Sequence, residues 1–420
     1  MQTLGSLKHL LISIFTVSYL AIIFEHITRI SKTAIAIVTA IILWTLYFLA
    51  TPQTIELDVR HFGEYVYDTA QIFFFLLAAM TIVELIDSHQ GFHWITRFIK
   101  TRKKTKLLII VSFVAFFLSA ILDNLTTTIL MLTVLKKLVP QKEDRIIASC
   151  MVVIAANSGG AWTPIGDVTT TMLWIEGKIS TLHTIKTLFI PSLLSMAIPL
   201  AILLPSLKGK LEKSGDLKVK PEYGSLAILI TGVVGLIMIP VFKSMTGLPP
   251  FMGALLALSV LWVITDLIHG KKEARSHLRV PFIFSRLDIS SILFFLGILL
   301  SVGLLKESGI LRMLANFLNE HISHESIVLP GVFGVVSAII DNVPLVAASM
   351  GMYPSIEMDA NFWQQIAYSA GVGGSMLIIG SSSGIALMGI ENISFIEYLK
   401  KISLPSLIGF LAGLAYLALI

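Results

Sequence analysis

The residues in this chain best placed to do chemistry are two aspartates in a repeated hexapeptide. Ser-Ala-Ile-x-Asp-Asn occurs at Ser119–Asn124 and again at Ser337–Asn342, each time inside a strongly apolar stretch. A charged side chain at the centre of a bilayer costs about 3 kcal/mol on insertion scales unless it is protonated, hydrated or cation-bound, so an intramembrane aspartate reads first as a functional residue. Two copies at equivalent places in two halves of one chain point to a site at a repeat interface, the architecture of a secondary transporter.

A second pair of segments supplies oxygen. Asn157–Thr171 reads NSGGAWTPIGDVTTT and Gly371–Gly384 reads GVGGSMLIIGSSSG; both share the frame Gly-Gly-x5-Gly-(Asp/Ser). Paired glycines, with Pro164 in the first copy, unwind a helix, and unwound backbone at membrane depth survives where it lines a cavity or is buried in protein. Carboxylates, freed carbonyls and Ser/Thr hydroxyls, without thiols or clustered histidines, suit hard cations. The expected cation- and proton-binding set is Asp123, Asn124, Asn157, Thr163, Asp167, Thr169, Asp341, Asn342, Ser375 and Ser381, with Asp123, Asn124, Asp167 and Asp341 as sodium ligands. Plainer readings compete for some of these: Gly-Gly also permits close helix packing, and asparagines at a helix break also serve as caps. Packing gives no reason for the three carboxylates. Ser119 and Ser337, one turn earlier, read as packing residues.

The elements that must position these groups are membrane helices. Of 420 residues 55% are hydrophobic and 14% charged, and mean hydropathy is +0.86; a soluble chain carries about 25% charged residues. Long apolar runs, without the alternation of a β-barrel, predict an all-α polytopic membrane protein. The single cysteine, Cys150, excludes an intrachain disulfide and a cysteine metal cluster. Spans are expected near 7–25, 33–50, 70–87, 147–177, 185–206, 223–242, 250–268, 288–306, 363–392 and 402–420. The first reads as a membrane helix rather than a cleaved signal, because no small-x-small site precedes Arg29–Lys32. Segments 107–140 and 327–356, with the Asp-Asn pairs at their middles, are expected to be re-entrant hairpins of two short helices.

Loop charge supports that layout. With 26–32 cytoplasmic, the loops at 88–106, 136–145, 207–222, 270–287 and 393–401 fall on the same side, and together these hold 24 of the 31 Lys and Arg residues; the opposite loops hold five. This is the positive-inside pattern, with both termini outside an inner (cytoplasmic) membrane. It also accounts for the net charge of +5 without a nucleic-acid partner. The chain then divides into repeats at 1–206 and 223–420, joined by a cytoplasmic linker at 207–222. Each repeat has five spans, one hairpin and a broken helix, and the odd number of crossings makes the repeats inverted in topology.

Other polar residues read as peripheral. Glu84 and Asp87, followed by His89 and His93, end a span at the interface, where a histidine gives scope for pH response. His61, Glu64 and Asp68 precede the same span and read as solvated. Leu311–Leu318 reads as an interfacial amphipathic helix.

The sequence resembles the NhaD-type sodium/proton antiporters of the ion transporter superfamily. The resemblance lies in SAILDNLTTTILM at 119–131, NSGGAWTPIGDVTT at 157–170, SAIIDN at 337–342, GVGGSMLIIGSSSGIALMG at 371–389 and FFLLAAMTIVELIDSHQGF at 74–92. Dicarboxylate carriers of the superfamily typically carry Ser-Asn-Thr at the hairpin tips, where this chain has Leu-Asp-Asn and Ile-Asp-Asn. The resemblance implies a homodimer of scaffold and transport domains with elevator-type movement, a part in pH homeostasis, Na⁺ or Li⁺ and H⁺ as cargo, and no cofactor. Physics supplies a compatible mechanism, because a carboxyl removed from water holds its proton more firmly and a bound cation loosens it. Two rivals remain at this point. A carrier of organic acids or oxyanions on the same fold would use helix N-termini for anions. An intramembrane aspartyl protease would use a carboxyl dyad, but its Gly-x-Gly-Asp and Tyr-Asp contexts are missing, so the chain reads as a carrier and not an enzyme.

Overall fold

The structure is a computed structural model that describes residues 2–51, 55–96, 101, 103–207, 209–211, 222–270, 273–322 and 326–420. Most of the linker expected at 207–222, and the basic residues Arg97, Lys100 and Arg102, lie outside the described residues. The described chain is helical, with one isolated bridge between Lys103 and Lys210 and no β-strand among the described residues. Among the described residues, eight helices are long and apolar enough to cross a membrane. Lys32–Ala50, for example, has 19 residues, which span about 28 Å at 1.5 Å per residue and match a hydrocarbon core of about 30 Å.

In chain order the principal helices are α1 (Gln2–Ile23), α2 (Lys32–Ala50), α3 (Ile55–Ser88), α4 (Lys104–Leu122), α5 (Asn124–Leu138), α6 (Lys142–Ala161), α7 (Val168–Ile175), α8 (Thr181–Leu203) and α9 (Ser225–Thr246). There follow α10 (Pro250–His269), α11 (Ile289–Glu307), α12 (Ile310–His321), α13 (Val328–Ser337), α14 (Asn342–Met352), α15 (Asn361–Gly373), α16 (Ser382–Glu391) and α17 (Leu404–Leu417). Seven expected spans appear as long apolar helices. The stretches expected at 147–177 and 363–392 are each broken, into α6 and α7 and into α15 and α16.

Two boundaries differ from expectation. Helix α3 starts at Ile55, not near residue 70, and runs 34 residues: its polar first turns contain no proline or paired glycine, so nothing stops them joining the apolar part. The first arm of the first Asp-Asn element, α4, has 19 residues and is long enough to span, whereas α13 and α14 have 10 and 11.

Helices α1, α2, α3, α9, α10 and α11 pack largely among themselves, while α4–α8 pack with one another and with α13–α17; α14 bridges the two groups by packing on α11. The two halves repeat the same local fastenings. Ser119 Oγ donates to Ala156 O at 2.6 Å, and Ser337 Oγ donates to Ala370 O at 2.7 Å. A Cβ on Gly159 would collide with the carbonyl of Phe116, and one on Gly373 with that of Gly334. These glycines therefore allow α6 and α15 to lie against α4 and α13 at backbone contact.

Candidate functional site

Asp167 is the centre around which the polar residues gather. It stands where α6 has ended and α7 begins, is 2% exposed, and its side chain does not cap α7. Its partners come from two other segments and one neighbour. Asn124 Nδ2 donates to Oδ1 at 3.2 Å, Asn342 Nδ2 approaches Oδ2 at 3.5 Å, and the Thr169 hydroxyl donates to Oδ2. Asn124 Nδ2 also reaches Asn157 Oδ1 at 3.1 Å. Asn157 Nδ2 in turn donates to Ser375 Oγ at 2.9 Å and Ser381 Oγ at 3.0 Å. Both Asp-Asn breaks and both glycine-broken helices thus meet in one hydrogen-bonded network. Every donor to Asp167 is neutral, and no ion pair reaches it among the described residues.

The two hexapeptide aspartates are held differently. Asp123 has φ +99°, a backbone setting that costs a non-glycine residue about 1–3 kcal/mol. Its carboxylate caps α5, accepting from Thr126 N–H at 2.9 Å and Thr126 Oγ1 at 2.7 Å. Asp341 has an ordinary φ of −51°. It accepts one helix N–H, from Val343 at 3.1 Å, and its Oδ2 lies 3.9 Å from Lys32 Nζ. The three aspartates do not converge on one point: among the described residues no three His, Cys, Asp or Glu side chains are close enough to hold a single metal ion.

Asp123, Asn124 and Thr126 border a small cavity of about 80 Å³ that also touches Ile165, Val168 and Ser382. A larger one, about 250 Å³, shares Met80, Val83, Leu125 and Thr126 with it and is lined by Glu84, Asp87 and Arg286. Glu84 and Asp87 are therefore the walls of a polar approach to the Asp123 tip, beyond the interfacial ending read from sequence. A separate cavity of about 70 Å³, bordered by Asp68, Glu176 and Lys306, touches none of the network residues.

Of the residues expected at the site, the network gathers Asn124, Asn157, Asp167, Thr169, Asn342, Ser375 and Ser381. It does not include Thr163, whose hydroxyl is spent on Ala120 O at 2.6 Å, and it leaves Asp123 and Asp341 on its flanks. Sequence reasoning missed Thr126, although a threonine three residues after an aspartate at a helix start is a capping signal. It also missed Lys32, which no local pattern ties to Asp341. His61 is not merely solvated; its Nδ1 lies 2.8 Å from Glu307 Oε1. His89 is buried with its Nε2 2.9 Å from His269 Nε2.

The chain matches the citrate transporter family over residues 19–365. It is 50% identical to sodium/proton antiporter 1 of Arabidopsis thaliana over 412 residues, covering 96% of this chain and 71% of the relative. It is 47% identical to sodium/proton antiporter 2 of the same plant, over 96% of this chain and 98% of the relative. Identity to the Na⁺/H⁺ antiporter NhaD of Alkalimonas amylolytica is 32%, over 90% of this chain and 83% of the relative.

Proposed function

The chain belongs to the NhaD-type sodium/proton antiporters within the citrate transporter family and is a multi-pass membrane transporter; from that premise we propose that it exchanges cytoplasmic Na⁺, or Li⁺, for external H⁺ by alternating access. One observation carries the reading. Asp167 is buried among neutral donors with no ion pair from the described residues, and a buried carboxylate without a fixed counter-charge must take a proton or a mobile cation to be stable. Proton and sodium then compete for one carboxyl, which is the least an exchanger requires.

On this reading Asp167 is the principal carboxylate. Oxygen atoms of Asn124, Asn157, Thr169, Asn342, Ser375 and Ser381 are at hand to complete a shell around a sodium ion, and Thr163 buttresses the broken helix. Asp123 and Asp341 flank the shell and take part in the proton exchange from the two tips. Sodium enters through the cavity walled by Glu84 and Asp87, on the face read as cytoplasmic. As it arrives, the proton leaves Asp167 toward the same cavity. After the site is carried to the other face, a proton displaces the ion.

The carriage follows from the duplicated plan. Repeats at 1–206 and 223–420, joined by a cytoplasmic linker at 207–222, insert with opposite topology. Their hairpins at 107–140 and 327–356 enter from opposite faces of a cell inner membrane, with both termini outside. Helices α4–α8 with α13–α17 form the moving body, and α1–α3 with α9–α11 the dimer-forming scaffold. The name of the matched family gives weight to a second reading, a carrier of organic acids. Against it, an anion would find amides, hydroxyls and a carboxylate at the centre rather than a cation.

Everted vesicles containing the protein test the proposal through a ΔpH-sensitive dye, with Na⁺, Li⁺ and K⁺ added across a range of pH. Sodium and lithium should collapse the proton gradient in the native protein, and Asp123→Asn should abolish the response. A response that survives in Asp123→Asn, or that needs a dicarboxylate, contradicts it.

A further inference from the structure

Lys32 opens α2, and its Nζ lies 3.9 Å from Asp341 Oδ2, with side-chain exposures of 24% and 22%. The same ammonium sits 4.6 Å from the centre of the Phe294 ring, so an aromatic face replaces part of its water. Its backbone is fixed from behind: the Lys32 N–H donates to Glu25 Oε1 at 2.9 Å, and Thr33 Oγ1 donates to Ser290 O at 2.9 Å. Asp341 is available to it because Pro344 has no N–H to offer, which leaves Val343 as the sole helix donor to that carboxylate among the described residues. Asn342, not Asp341, turns to Asp167.

We propose that Lys32 is a tethered counter-cation for Asp341. In the conformation open toward Glu84 and Asp87 its ammonium holds the place at that carboxylate that a transported cation takes, and sodium arriving from that face displaces it. The inference rests on the sodium/proton exchange reading and names a residue that sets sodium affinity within it. One monovalent cation replaces another at one carboxylate, so the charge of the site is conserved. Lys32 sits on α2, which packs mainly on α1 and α11, whereas Asp341 opens α14, a helix that reaches this group through α11. Movement of the hairpins relative to α2 therefore breaks the pair, and the site open to the opposite face has no such competitor.

The test is the half-saturating Na⁺ concentration for exchange, measured with the full chain at each membrane face in vesicles of both orientations. Lys32→Gln should lower it several-fold at the face bearing Glu84 and Asp87 and leave the other face unchanged. Lys32→Arg, which keeps the charge, should behave as the native protein. In an Asp341→Asn background, read by ²²Na⁺ binding to the purified protein rather than by exchange, adding Lys32→Gln should leave the sodium affinity unchanged. If Lys32→Gln does not reach the membrane, Lys32→Met, which keeps an apolar stem over Phe294, takes its place. Equal shifts at both faces, no shift, or the same shift with and without Asp341 overturns the pairing. A native protein that shows no sodium-dependent proton movement overturns the exchange reading itself, whatever the Lys32 variants do.

Discussion

Asp123 and Asp341 occupy the same place in the same hexapeptide, yet their carboxylates are satisfied in opposite ways. The first is bound by its own helix through Thr126; the second turns to Lys32, on a helix from the other packing group. The cause is one residue. Where the first copy has Thr126, with an N–H and a hydroxyl to give, the second has Pro344, with neither. The broken helices differ in the reverse sense. Ser381 caps its own helix, accepting from Gly384 N–H at 3.2 Å as well as from Asn157, while Asp167 leaves its helix uncapped and meets Asn124 and Asn342. The fastenings are alike in the two halves, Ser119 with Ser337 and Gly159 with Gly373, while the polar atoms are assigned differently. Each half thus has one acidic or hydroxyl group held by its own helix and one left for a partner elsewhere.

That comparison is open to breakage at several points. The largest effect is expected at Asp167. Asp167→Asn should reduce sodium/proton exchange to background while the protein still reaches the membrane, because an amide neither carries a proton nor neutralises a cation. Ordinary exchange in that variant would mean that the centre lies elsewhere. Next come the shared fastenings. Gly159→Ala and Gly373→Ala should both lower the yield and melting temperature of detergent-extracted protein, since a methyl at either place strikes a backbone carbonyl. Gly389→Ala should be neutral or slightly stabilising, by up to about 1 kcal/mol, because its added methyl meets open space. A large loss at one of the paired glycines alone would show that the halves are fastened less alike than their contacts are. The smallest effect is expected at Ser381→Ala. It removes a cap and one acceptor for Asn157, so exchange should fall about threefold to tenfold, the worth of one hydrogen bond. A loss as complete as that of Asp167→Asn would place the chemistry equally in both halves.

Much of this was legible in the sequence. The cost of a carboxylate in lipid singled out Asp123 and Asp341, and glycine pairs with a following Gly-Asp or Gly-Ser located the two helix breaks to within a few residues. The Thr126 and Pro344 difference also stands in the sequence, since capping and the missing proline N–H are local rules. What no local rule carries is the convergence of Asn124 and Asn342 on Asp167, with Asn157 joined to them through Asn124, which depends on how four segments pack. The Lys32 pair likewise joins residues from distant parts of the chain, and a lysine at a helix start reads by itself as interfacial. The extension of α3 to Ile55 was hidden because hydropathy marks the apolar part of a helix, not the end of its hydrogen bonding.

The central claim is that sodium and protons compete for the carboxyl of Asp167. Proton release on sodium binding tests it most directly, measured with purified protein in weakly buffered detergent solution as Na⁺ is added at a pH where exchange is active. The account predicts that each sodium bound releases protons to the solution, that Li⁺ does the same, and that Asp167→Asn gives no sodium-dependent release. Sodium binding without proton release, or undiminished release in Asp167→Asn, would contradict it.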